Sequence, residues 1–404
     1  MLMEKNMHVR RAAVVVWTAI TSSVLIGFTA LAIDLGYLYV VRAQLQNAAD
    51  AAAMAGVTSL AAPAVLEGTL NQEEVAYLAK SRAMEYSAKN QAANRPVYLD
   101  PSDIQVGSVA NPLDLTDNSL GTTYPYNAVA VTVKMGKNTL NGPIDLFFAR
   151  IWGKQTASLS ATATAYLNSR VRGYEAPKET GGPVIPISVR VEKFLHDVVQ
   201  GLGDDAFGYD PETGQVTSHS DGIQEISIYP EKQKNYAVAN PDGAGNFGML
   251  DIGNTSNSAS DLASQMTNGL TASDFEALFG KSIMDLYTET GTPEQYQASG
   301  ELSLTGNYDV AGNPGLMASV KDELQARVGD VVGFFIHSAV TDPGGNAVFT
   351  IVGLQFGRVM HVDMTGSPNR KVLVIQPVTY VGPEIVTSPE APIHETAGRL
   401  SLIR

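Results

Sequence analysis

The stretch LAIDLGYLYVVRAQLQNAADAAAMAG, residues 31–56, opens apolar, meets Asp34, and then runs on rich in alanine and without proline. The reading of that junction decides the fold. From Asp34 to about Leu60, the residues Leu35, Leu38, Val41 or Arg42, Leu45, Ala49 and Ala52 recur at three- and four-residue steps and make one apolar face. Gln44, Asn47 and Asp50 fall on a more polar side. The pattern predicts one long helix lying against a folded lobe, with alanines that let neighbouring backbones or helices approach closely.

Upstream, Lys5, Arg10 and Arg11 stand against Glu4, and Ala12 to Ile33 then runs 22 residues without a charge. At about 1.5 Å per residue such a helix spans about 33 Å, the thickness of a bilayer core. Its polar members, Thr18, Thr21, Ser22, Ser23 and Thr29, are hydroxyls that can bond back to helix carbonyls. The basic flank assigns the N-terminus to the cytoplasm and the bulk of the chain to the other side. A cleaved signal peptide is the rival, and Ala30-Leu31-Ala32 offers a small-x-small site. The apolar length exceeds a signal core of roughly 7–15 residues, however, and helical character continues through that cut. Asp34 therefore marks where the helix emerges into water, as a solvated boundary charge or as a partner for another subunit or a basic group. Tyr37 and Tyr39 sit where amphipathic rings favour the interface.

The totals set outer bounds. The chain has 404 residues, 44% of them apolar, enough for two ordinary domains with real cores. A net charge of −14 argues against a nucleic-acid partner. The absence of cysteine removes thiol chemistry, disulfides and Cys-ligated zinc.

Beyond the stem helix, residues 73–93 predict a second amphipathic helix with Val75, Leu78, Ala79, Arg82 and Tyr86 at helical spacing, stopped by Asn94-Arg95-Pro96. Ile104–Val109, the alternating AVAVTVKM of 128–135 and the SLSATATAYL of 158–167 predict strands, and PIDLFFARIWG (143–153) a short helix. The fold class expected is α+β: a transmembrane helix at 12–33 after a basic tail at 1–11, and a pilin-like stem domain at 34–168. A charged, Gly/Pro-rich linker at 169–183 and a β-rich extracytoplasmic domain at 184–381 follow, then an extended tail at 382–404 with Pro383, Pro389 and Pro392. The β-rich domain carries helical insertions at about 257–268, 273–279 and 316–327; Ser273 with Glu276 reads as a capping box, and Gly280 as its stop.

The order of words across residues 10–60 resembles the N-terminal region of TadG-like proteins of the tight-adherence (Tad/Flp) pilus system. The resemblance is carried by Asp34-Leu35-Gly36-Tyr37 and by the run from Gln44 through Leu45, Ala49 and Ala52 to Ala53. FFARIWG…SATATAY is similar to the end of the ectodomain in that group. The resemblance implies a single-pass, pilin-like protein of the bacterial inner membrane. Its expected partners are lipid bilayer and Tad-like pilus or secretion components, with self-association through helix 34–60. Two departures stand out. Residues 1–26 contain no glycine, where related pilins carry one before a processed apolar segment, and the D-x-S-x-S of the von Willebrand A domain found in longer TadG-like chains is absent.

A search for chemistry finds little. His8, His196, His219, His337, His361 and His394 are scattered, and none forms HExxH. His361-Val362-Asp363 puts two ligand types on one strand face, but reads first as ordinary strand polarity. Asp251-Ile252-Gly253-Asn254-Thr255-Ser256 has a glycine where an adhesion-type metal site needs a hydroxyl. Asp309 with Asn313, and Asp204-Asp205, lack calcium-loop spacing. Asn240-Pro241-Asp242-Gly243 and Asp342-Pro343-Gly344-Gly345-Asn346 are turn signals. No phosphate loop or nucleophile elbow occurs. The expected function is therefore a non-catalytic assembly component without cofactor or metal. The alternative is an adhesion module displayed on a pilin-like stem. Asp34, Gly36, Tyr37, Leu45, Ala49 and Ala52 are the residues assigned to membrane exit and helix packing.

Overall fold

The computed structural model describes residues 2–403 except 63–64, 66–69, 110–119, 180, 211–212, 229–246, 254–258, 286–301, 314–317, 342–346, 366–370, 389–390 and 392–396. A single helix, α1, runs from Leu2–Leu60 without interruption. Its first half is apolar and exposed along Val14–Ile33, as Trp17, Leu25, Ile26 and Phe28 illustrate. Its second half is the centre of a core. Val41, Leu45, Ala48, Ala49, Ala52, Ala53, Val57 and Leu60 are buried together with Val129, Val131 and Val133 from one strand and Ala161, Ala163 and Ala165 from the next. The small side chains let helix and sheet close at short range. At Gly56 an added Cβ would stand 2.9 Å from Val129 Cγ1 and 3.3 Å from the carbonyl of Ala79, so only glycine fits there.

A second helix, α2 (Gln72–Ala88), packs on the same core through Val75, Ala79, Ala83 and Ser87, one residue per turn. Its start is a capping box: Asn71 accepts from the amides of Glu73 and Glu74, and the Glu74 carboxylate accepts from the Asn71 amide. The helix expected to reach residue 93 ends five residues earlier. Ala93 and Asn94 take positive φ (50° and 60°) and turn a two-residue hairpin between Gln91–Ala92 and Arg95–Pro96.

The sheet under α1 has five strands in the order Tyr380–Val381, Ala397–Ile403, Leu159–Asn168, Ala128–Met135 and Ile104–Gly107. Ala128 pairs with Tyr166 and Met135 with Leu159 in unbroken antiparallel register, so the valines of one strand and the alanines of the other lie on the same face. The C-terminal stretch expected as an extended tail is part of this sheet: Arg399 pairs with Asn168 and Ile403 with Thr164. Leu400 and Leu402 pack against the α1 core. The stretch expected as a linker is likewise ordered in part. Val171–Glu175 is the centre of a three-stranded sheet between Ile283–Asp285 and Ile385–Thr387.

The C-terminal part is β-rich. Its seven-stranded sheet closes on itself, because Ala347–Asp363 pairs with both Leu302–Asn313 and Val331–Thr341, and these connect through Phe247–Leu250 and Val184–Arg190. Phe349 fills the ring; a Cβ on Gly248 would fall 2.2 Å from it and one on Gly312 2.9 Å. Helices at Ala259–Asn268 and Ala272–Phe279 cover the sheets. The second of these is capped two residues earlier than the Ser273/Glu276 expectation, by Thr271 with Asp274. The Asp274 carboxylate accepts from the amide of Thr271, while Gly280 ends the helix at φ 73° as anticipated. The 240–243 and 342–346 turns lie outside the described residues. The molecule is α+β with a β-rich C-terminal part.

Candidate functional site at the base of the stem

PIDLFFARIWG, expected as a short helix, folds as the two-residue strand Ile144–Asp145 followed by a 3-10 turn at Ala149–Trp152. Eleven residues cannot repay α-helix nucleation without a packed face, and Gly153 ends the turn in the left-handed region at φ 77°. The first amides of any such turn lack intrahelical partners, and Phe148, at its N-cap, supplies no side-chain bond. The missing acceptor arrives from another element. Asp34, on α1, takes the amides of Phe147 (2.8 Å to Oδ1), Phe148 (3.1 Å to Oδ2) and Ala149 (2.7 Å to Oδ2).

This corrects the expectation of a solvated boundary charge. Asp34 is 4% exposed. Its hydrogen-bond donors are three backbone N–H groups more than a hundred residues away. Burial works to raise its pKa, yet the donors at Phe147, Ala149 and Phe148, with Arg150 nearby, hold the carboxyl below the usual carboxylate range. Asp34 thus ties the base of the helix to the loop through charge-assisted bonds.

The other assigned residues divide into two groups. Tyr37 is half-buried, its ring edge-on to Phe147 with centroids 5.1 Å apart, so it braces the same loop. Gly36 is exposed, with open space where a Cβ would stand. Leu45, Ala49 and Ala52 are fully buried. Their packing partners are α2 and the sheet of this same chain, so they offer no surface to a second copy. The helix face left open at the base holds Leu35, Gly36, Tyr39, Val40, Arg42 and Ala43.

Several of the positions searched for chemistry are occupied by structural contacts, while His394 lies outside the described residues. His361 stacks on Phe207 at 5.1 Å, and Asp363 accepts from the amide and hydroxyl of Thr365. Asp309 accepts from the Thr350 hydroxyl, and Asp205 from the Ser220 hydroxyl and the amides of Asp221 and Gly222. Asp251 donates its amide to Ala311, and burial raises its carboxyl; residues 254–258 beyond it lie outside the described residues. Among the described residues no three His, Asp or Glu side chains come together as a metal site.

Several notable groups escaped the sequence reading. Phe147, Phe148, Ile151 and Trp152 are exposed apolar side chains around the Asp34-bound turn. Inside the β-rich part, His337 is buried against Ser188 and edge-on to Phe349, and Lys193 forms a buried ion pair with Asp197 at 2.6 Å. The sequence signal for the first group was a dense aromatic and aliphatic cluster, whose pattern predicts a short helix rather than an exposed turn.

Comparison with known proteins finds a likeness in the N-terminal part. Residues 12–62 match the Tad family model of TadE/G-like Flp pilus-assembly proteins, and residues 40–165 match the Tad_C model of Tad-like Flp pilus-assembly proteins. No curated relative and no solved structure matches the chain. The matched span begins in the apolar half of α1 and ends in the Leu159–Asn168 strand, so it takes in the helix, the Asp34-bound turn and three strands of the sheet beneath. Residues 12–165 are thus similar to Tad-like Flp pilus-assembly proteins, TadE/G-like at their start.

Proposed function

We propose that this chain is a membrane-anchored, non-catalytic structural component of a Tad-like (Flp) pilus or secretion apparatus. It crosses the bacterial inner membrane once through residues 12–33, with the basic tail in the cytoplasm and the bulk outside. The observation that carries this reading is the continuity of α1. One helix is apolar and largely exposed from Val14 to Ile33 and is the core of a folded lobe over its second half, so anchor and lobe are one continuous element. A signal peptide needs no such coupling, and a soluble protein leaves no helix of this length uncovered. The partner surface follows from what remains open. Contacts with pilus components or a second copy fall on Leu35, Gly36, Tyr39, Val40 and Ala43 rather than on Leu45, Ala49 and Ala52.

The full chain is expected in the inner-membrane fraction, with residues 184–404 digested by protease added outside that membrane; recovery of an intact soluble chain would overturn the anchor. Photocrosslinkers at Tyr39 and Ala43 are expected to capture pilus components or a second copy. The alternative is a tethered adhesion module, favoured by a closed β-ring lying beyond the matched residues. It gains if the stem face captures nothing while the β-rich part captures surface ligands.

A further inference from the structure

Among the described residues outside α1, the turn bound by Asp34 gathers four exposed large apolar side chains. Phe147 is 59% exposed, Phe148 38%, Ile151 75% and Trp152 61%. In water such a cluster is unfavourable, and among the described residues nothing else covers it. Its position says what does. Trp152 lies beside α1 at Gly27, with ring carbons 3.9–4.0 Å from where a Cβ on that residue would stand, and shares a groove with Val24, Phe28 and Leu31. Gly27 is seven residues before Asp34, about 10 Å down the helix axis. Those α1 residues belong to the uncharged 12–33 segment, so a turn that touches them sits below the membrane surface whenever α1 crosses the membrane there.

We infer that Phe147–Trp152 is a second membrane contact, a wedge inserted among the acyl chains of the outer leaflet beside α1. This deepens the anchored reading and rests on it. Irregular backbone is tolerated at that depth only if its polar groups are paired within the protein. Asp34 takes the amides of 147, 148 and 149, while Ile151 donates to the Phe148 carbonyl, Gly153 to Arg150 and Lys154 to Ala149. The carboxylate at the junction is thus what lets a non-helical turn enter lipid. Arg150 and Lys154 flank the apolar side chains, on stems long enough to carry their charges up to the headgroups. A helix alone is free to rotate and slide along its axis in the bilayer. A wedge fixed to its side sets both its rotation and the height of the stem above the membrane.

The test takes single cysteines in the otherwise cysteine-free full chain, reconstituted in phosphatidylcholine/phosphatidylglycerol vesicles. The sites are Ile151→Cys in the wedge, Ile26→Cys in the helix and Tyr77→Cys on the exposed side of α2. Each carries an environment-sensitive fluorophore, read with doxyl-lipid quenching, and each is probed in parallel with a membrane-impermeant thiol reagent. The wedge predicts that position 151 behaves like 26, quenched by doxyl lipid and lost to the aqueous reagent, while 77 labels freely. If 26 is lipid-quenched but 151 labels like 77, the wedge is wrong and the anchor stands. If 26 itself labels freely, the anchored reading fails and takes the wedge with it. If 151 is protected but unquenched by lipid and crosslinks to a second copy, the groove is a protein interface and the lipid assignment is overturned.

Discussion

Replacing Leu45 with alanine distinguishes a stem helix that is the core of its own lobe from one that waits for a partner. Leu45 is fully buried among Ala48, Ala49, Val41 and the valines of the Ala128–Met135 strand. The substitution deletes three carbons, worth about 2.4 kcal/mol at roughly 0.8 kcal/mol each. The cavity adds on the order of 1–2 kcal/mol, because a helix pinned between a sheet and α2 cannot collapse to fill it. A loss of about 3–4 kcal/mol lowers the melting temperature of a lobe of this size by roughly 6–16 °C. Tyr39→Ala, six residues nearer the membrane and 73% exposed, is the matched control and should stay within about 0.5 kcal/mol. The assay is thermal unfolding of the full chain in detergent, followed by circular dichroism at two protein concentrations. The drop for Leu45→Ala should be the same at both, since the contact is intramolecular. A melting temperature within the Tyr39→Ala range, or a drop that appears only on dilution, would refute the assignment.

Three further outcomes are expected. Asp34→Asn keeps one oxygen but turns an N–H donor toward amides that are themselves donors, and Asp34→Ala removes every acceptor; limited proteolysis in detergent should therefore cut within 147–154 fastest for Ala, next for Asn and slowest for the native chain, and equal rates would contradict the tie. Burial, with Arg190 nearby, pushes the His337 pKa down to about 3 from 6.5, so its contribution is whole above pH 6.5 and is lost as pH falls through that window. By pH 4 the β-rich part should lose about 3 kcal/mol in urea unfolding, and parallel pH profiles for the native chain and His337→Gln would sink this attribution. Deleting residues 397–404 strips a strand from Leu159–Asn168, along with the packing of Leu400 and Leu402, and should cost the stem roughly 2–4 kcal/mol while promoting aggregation through the bared edge; an unchanged melting temperature would mean that the strand contributes nothing.

What could be read from sequence and what could not have physical reasons. The second half of α1 and the Ala128–Met135 and Leu159–Asn168 strands carry strong local periodicity, because one face of each meets the core. Leu45, Ala49 and Ala52 were found by that signal, but periodicity identifies a buried face without naming what buries it. The role of Asp34 was not legible, since its partners are backbone amides, which leave no residue-type signature, and lie far away in the chain. The strand at Ala397–Ile403 escaped for a related reason: seven residues after a proline-rich stretch look extended, and only a pairing 230 residues distant makes them a sheet edge. The misplaced capping box came from two overlapping patterns, Thr271 with Asp274 and Ser273 with Glu276, between which local sequence cannot choose.

The central claim is that anchor and stem are one helix. Hydrogen exchange of the full chain in lipid vesicles, read peptide by peptide across α1, tests it most directly. The account predicts slow exchange without a gap from Val14 through Leu60, including the stretch around Asp34. A fast-exchanging break between residues 30 and 36, or a mature chain that lacks residues 14–32, would contradict it.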